Sequence, residues 1–79
     1  MRLTSSFAVF RFDPGERDLA RPRWLARERK LAEAEEEYRR VLGRNPDLYA
    51  GWQELFELLR RSRRYHDALD LAAAAARHW

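Results

Sequence analysis

The 79-residue chain has no cysteine, three glycines, three prolines and two histidines. Without cysteine there is neither a disulfide nor a thiolate metal site, so a domain this small must be held by packing alone. That lack also suits a reducing compartment. His66 and His78 stand 12 apart, which is not a metal-ligand spacing. No run approaches the ~20 apolar residues that span a bilayer. The apolar stretch Leu3 to Phe10 is interrupted by serines, is closed by Arg11, and has no small-residue cleavage site after it, so it does not read as an export signal. A soluble, cytoplasmic protein with no membrane partner is expected. Gly-rich phosphate loops, nucleophile elbows and metal-binding His pairs are all missing. The expectation is therefore a chain that is not an enzyme and needs no cofactor and no metal.

Lysine is nearly absent as well: of 16 basic residues only Lys30 is not arginine. Against 13 acids this leaves a net charge of +3, a mixed surface rather than a polybasic one. Arg60, Arg61, Arg63 and Arg64 with His66 make the densest basic cluster. It reads first as a solvated turn, favoured by the helix C-terminal dipole. Its alternative is an anion or phosphate contact. Only Tyr65 interleaves an aromatic, so nucleic acid is not the expected partner. Glu33, Glu35, Glu36 and Glu37 precede Arg39 and Arg40. Glu35 to Arg39 and Glu36 to Arg40 are i, i+4 pairs with the acid leading, which supports a helix surface rather than acid/base chemistry.

The chain divides into two parts. Residues 1–15 form an extended N-terminal arm, with the strand-like Phe7-Ala8-Val9-Phe10-Arg11-Phe12 ended by the turn Asp13-Pro14-Gly15. The arm docks on its own helices or on another chain. Residues 16–79 read as a helical domain. Pro22 suits a first helical turn, and a short helix to Glu28 or Arg29 would bury Trp24 and Leu25. A second helix runs to about Leu42 with an apolar stripe of Leu31, Ala34, Tyr38, Val41 and Leu42. An unbroken helix from Pro22 to Leu42 is the alternative, since no breaker lies between Arg27 and Lys30. Asp47 is the expected N-cap of a third helix with Trp52, Leu55, Phe56 and Leu59 on its apolar face. Trp24 and Trp52 are expected in the core. A fourth helix carries five consecutive alanines to Ala76, small enough for another helix to approach closely. Trp79 is either a cap over the last turn or an exposed anchor.

Lys30-Leu31-Ala32-Glu33-Ala34 and Arg64-Tyr65-His66-Asp67-Ala68 share a pattern: basic, bulky, variable, acidic, alanine. The offset is 34 residues at every position. A fixed period of this size with helical patterning marks helix-turn-helix repeats. From Arg29 onward the chain resembles the tetratricopeptide repeat family. The resemblance covers roughly residues 29–77, about one and a half units, and rests on Pro46, Trp52 and Ala68 falling in one register. Phe56 replaces a small residue of the family pattern and Ala72 an aromatic. The pattern's next closing proline would fall just past Trp79.

The resemblance implies an all-α fold of antiparallel helical hairpins and a role as a protein–protein interaction module. The partner would be a protein or peptide, with a homo-oligomer as a further possibility. Carried over by register, the partner-binding groove positions are Ala50, Gln53, Glu57, Arg60 and Arg61, with Arg23 and Arg27 from the degenerate unit. Two other readings stand beside it: a nucleic-acid-associated regulator using the Arg-rich turn, and a regulatory segment of a larger enzyme.

Overall fold

The computed structural model describes residues 14–79, and these are all-α. A 3-10 helix at Pro14–Leu19 leads into α1 (Ala20–Arg27). It is followed by α2 (Leu31–Arg44), α3 (Tyr49–Arg61) and α4 (Tyr65–His78). The strand-like segment and the rest of the arm up to Asp13 lie outside the described residues. Pro14 and Gly15, assigned to the arm from sequence, open the 3-10 helix.

The turn between α1 and α2 exists, and the unbroken-helix alternative is excluded. It is made by hydrogen bonding rather than by a breaker residue. The Arg29 N–H donates to the Ala26 carbonyl (3.1 Å) and the Lys30 N–H to the Leu25 carbonyl (2.9 Å). Arg29 adopts a left-handed backbone with φ 63°. These are the two bonds and the left-handed residue of a Schellman C-cap, a place glycine usually fills. The α3–α4 turn repeats it 34 residues on. Arg63 (φ 62°) donates to the Arg60 carbonyl at 3.0 Å, and Arg64 donates to that of Leu59 at 2.9 Å. The N-cap residues of α2 and α4, Lys30 and Arg64, match too, with φ,ψ of −91°,70° and −95°,69°. The periodicity in the side chains is thus also a periodicity in the backbone.

The core is a contiguous set of Leu19, Leu25, Ala34, Tyr38, Val41, Leu42, Leu48, Leu55, Leu59, Ala68 and Leu71, all buried. Fully burying each leucine contributes roughly 1.5–3 kcal/mol. α2 packs between α1 and α3, and α4 packs on α3. Gly51 makes the α2–α3 contact possible: a Cβ there would lie 2.9 Å from Leu42 Cδ2 and 3.6 Å from Leu19 Cδ2.

Four expectations need correction. Trp24 is 45% exposed. α1 turns Pro22 and Leu25 inward, and position 24 lies about 200° around the helix from Pro22. Its ring is covered from outside by Lys30 Nζ, 5.6 Å from the centroid. Trp52 is half-buried rather than core; its Nε1–H donates to the Pro46 carbonyl at 2.8 Å and latches the loop to α3. Leu31 is exposed because, like its counterpart Tyr65, it is the first residue of its helix. Asp47 is not the N-cap of α3. The Leu48 N–H bonds the Asn45 carbonyl, which delays the helix by a residue, so Leu48 is the cap residue and makes no side-chain cap bond.

Candidate interaction surface

α1 and α3 carry all seven sequence-predicted groove residues, but the structure gathers only some of them. Gln53, Glu57 and Arg61 of α3 line an open hollow of about 520 Å³, together with Ala26 of α1 and Tyr38 of α2. Arg23, Arg27, Ala50 and Arg60 do not line it. Ala50 is half-buried against the core. Arg27 is exposed at the end of α1.

Arg23 is committed to the fold. Its guanidinium meets Glu54 of α3 in two-pronged fashion, Nε to Oε1 at 2.9 Å and Nη2 to Oε2 at 2.6 Å. Nη2 also reaches Glu16 at 3.1 Å. The Tyr38 hydroxyl donates to Glu54 Oε1 at 3.0 Å. One carboxylate therefore joins α1, α2 and α3. The Glu54 hydrogen bonds strengthen the hold of the Arg23 guanidinium on its proton against the opposing effect of burial. Burial first, then the Glu54 charge, pushes the Tyr38 phenol well above its ordinary range. Sequence reasoning missed this centre. Its members are 16 and 31 residues apart, and no local spacing announces them.

The arginine-rich turn is largely charge-matched. Glu57 accepts from Arg60 Nη2 at 2.8 Å and has Arg61 Nε at 3.9 Å. The Arg60 hydrogen bond holds the Glu57 carboxyl below the usual carboxylate range. Arg64 pairs with Asp67 (2.7 Å) and reaches across to Glu35 of α2. Partial burial works to raise the Glu35 carboxyl, but hydrogen bonds from Arg64 and Arg39 outweigh it and the net shift is downward. Among the described residues only Arg63 of the four has no ion pair. On α2 the Glu35–Arg39 pair forms at 3.1 Å, as expected. Glu36–Arg40 does not: Arg40 turns to Glu37 at 2.7 Å, which also faces Arg21 of α1.

Two further surfaces come from folding. Between α2 and α4 lies an open hollow of about 700 Å³, edged by Arg39, Asp67, Asp70, Arg77 and His78. Its charges are of both signs. On the other side of α4 is an apolar hollow of about 370 Å³ formed by Tyr49, Gln53 and Phe56 of α3 with Ala72, Ala75, Ala76 and Trp79. Trp79 is both cap and exposed aromatic. Its ring stands edge-on to Tyr49 (5.8 Å) and to His78 (5.1 Å), yet it is 58% exposed. His78 in turn stacks on Trp52 (6.4 Å), and its Nε2 lies 2.8 Å from Asp47 Oδ1. The run of alanines is the signal that marked this side in the sequence.

Among the described residues no three His, Cys, Asp or Glu side chains are placed to share a metal ion, and no helix is long and apolar enough to cross a membrane. No family model matches the chain, and no curated protein and no solved structure matches it either.

Proposed function

We propose that this chain is a non-catalytic protein–protein interaction module of tetratricopeptide-repeat type, a cytoplasmic adaptor that binds a protein or peptide through the outer surface of α3 and α4. The observation that carries this reading is the exposed apolar side of the second hairpin. Ala72, Ala75, Ala76, Phe56, Tyr49 and Trp79 meet there with Gln53 at the margin. Large aromatic side chains gathered beside a small-residue helix surface are the kind of feature that anchors protein interfaces. The 34-residue recurrence of the turn hydrogen bonds supports the repeat assignment. The charge-matched arginines favour a protein partner over nucleic acid, since Arg60 and Arg64 are already engaged.

The test is capture from native lysate with tagged full-length chain, with and without nuclease, beside a Gln53→Ala/Glu57→Ala variant. A nuclease-resistant protein partner that the variant loses is the expected outcome. Capture that disappears with nuclease would replace this reading with nucleic-acid association.

A further inference from the structure

The 34-residue recurrence makes the two hairpins comparable position by position. In the first hairpin Tyr38, Val41 and Leu42 are buried, and Leu42 and Tyr38 meet α3 directly. Their counterparts in the second are Ala72, Ala75 and Ala76, which are exposed or half-exposed. Leu19 and Pro22, both buried, correspond to exposed Gln53 and half-buried Phe56. The apolar hollow is therefore the place on the second hairpin that α3 takes on the first.

The way α3 is seated shows what each position demands. Gly51 is required because Leu42 leaves no room for a Cβ. Glu54 is required because Arg23 and the Tyr38 hydroxyl both face it. In the second hairpin these demands are reversed. Ala76 replaces Leu42 and Ala72 replaces Tyr38, so space opens where α3 is small. Glu57, itself held by Arg60 and Arg61, replaces Arg23, so a carboxylate in the place of Glu54 would find neither of its two partners. A second copy of the chain is a poor occupant in this register. The positions of its leading segment that match Gly51, Trp52 and Leu55 are Arg17, Asp18 and Arg21, all exposed and charged.

We propose that this face docks an amphipathic helix of a partner protein, seated as α3 is seated on the first hairpin. The helix carries a bulky apolar side chain where α3 has Gly51 and a neutral one where α3 has Glu54. The proposal rests on the interaction-module reading and adds the chemistry of the partner.

The probe is a labelled synthetic peptide of residues 46–61 carrying G51L and E54Q, titrated into the full-length chain and read by fluorescence anisotropy. The unmodified peptide is run in parallel. The leucine also bars the probe from displacing the chain's own α3 against Leu42. The modified peptide is expected to bind at least about tenfold tighter than the unmodified one. Ala75→Arg weakens it by about the same factor, with circular dichroism confirming the fold. Should Ala75→Arg fail to fold, Ala72→Arg, at a more exposed position, makes the same test. Glu57→Lys reverses the preference at peptide position 54 from glutamine to glutamate. Equal binding of the two peptides, binding that neither arginine variant weakens, or no binding of either would overturn the proposal. So would a dimer of the free chain in sedimentation that Ala75→Arg dissolves. A nuclease-resistant partner lost with Gln53→Ala/Glu57→Ala, found while both peptides fail, would preserve the interaction reading and reject only the helix. A nuclease-sensitive capture would reject the reading itself.

Discussion

Removing the Glu54 carboxylate tests whether the three-helix junction is held by a few polar contacts or by packing alone. Glu54→Ala deprives Tyr38 and Arg23 of one acceptor at once. The two losses differ in size. Tyr38 is only 3% exposed, so its hydroxyl is left without a described acceptor. An unsatisfied buried donor costs about 1–3 kcal/mol. Arg23 and Glu54 side chains are 36% and 29% exposed, and Arg23 keeps Glu16. Screening by water holds that pair to about 1 kcal/mol or less. The expected loss is about 2 kcal/mol, most of it from the tyrosine. The assay is urea unfolding followed by far-ultraviolet circular dichroism. Tyr38→Phe in the native background should cost about 1 kcal/mol, because it leaves one Glu54 bond unmade. In the Glu54→Ala background the same change should cost nothing or restore stability. A Glu54→Ala loss below about 0.5 kcal/mol, or strictly additive single effects, would refute the reasoning.

Three other perturbations bear on the fold. Gly51→Ala should lose about 1 kcal/mol, overpacking against Leu42 outweighing the helix-propensity gain, and should instead gain about 1 in a Leu42→Ala background. Identical effects of Gly51→Ala in both backgrounds would show that Leu42 is not what excludes the side chain. Arg63→Gly should hold or raise the melting temperature, and Arg63→Val should cost about 1–2 kcal/mol, because its backbone is left-handed. A valine variant as stable as the native chain would disprove the turn geometry. The lowered Glu35 pKa implies stability that is present above the carboxyl's ordinary 4.5 and lost as pH falls through the folded value. Glu35→Gln should flatten that acid limb, by less than about 1 kcal/mol for so exposed a partner as Arg64. An acid limb unchanged by Glu35→Gln would remove Glu35 from the account.

How much of this was legible beforehand depended on the range of the cause. The α2 stripe of Ala34, Tyr38, Val41 and Leu42 was readable because helical periodicity is local. The break before Leu31 was not readable locally. Arg29 and Arg63 take the left-handed position without glycine or asparagine, so only comparison of the two units disclosed the first turn. Asp47 misled because its residue type suits a cap while the Asn45–Leu48 turn shifts the helix start. Trp24 misled because size argues for burial, whereas the facing of α1 is set by Pro22 and Leu25. Among the groove candidates, Gln53, Glu57 and Arg61 converged because they share one face of α3. Arg23 went elsewhere because Glu54, invisible as its partner from 31 positions away, captured it.

Each helix packs mainly on its neighbours in sequence: α1 on α2, α2 on α3 and α3 on α4. Such an arrangement orders itself quickly, since few distant segments must find each other before packing is rewarded. It also behaves as a short linear series in which disturbance passes from one link to the next. α4, packed mainly on α3, is expected to open without dismantling α1 and α2. Its amide protons should therefore exchange with solvent earlier than those of α2, and any occupant of the alanine side would be felt first as slower exchange along α4.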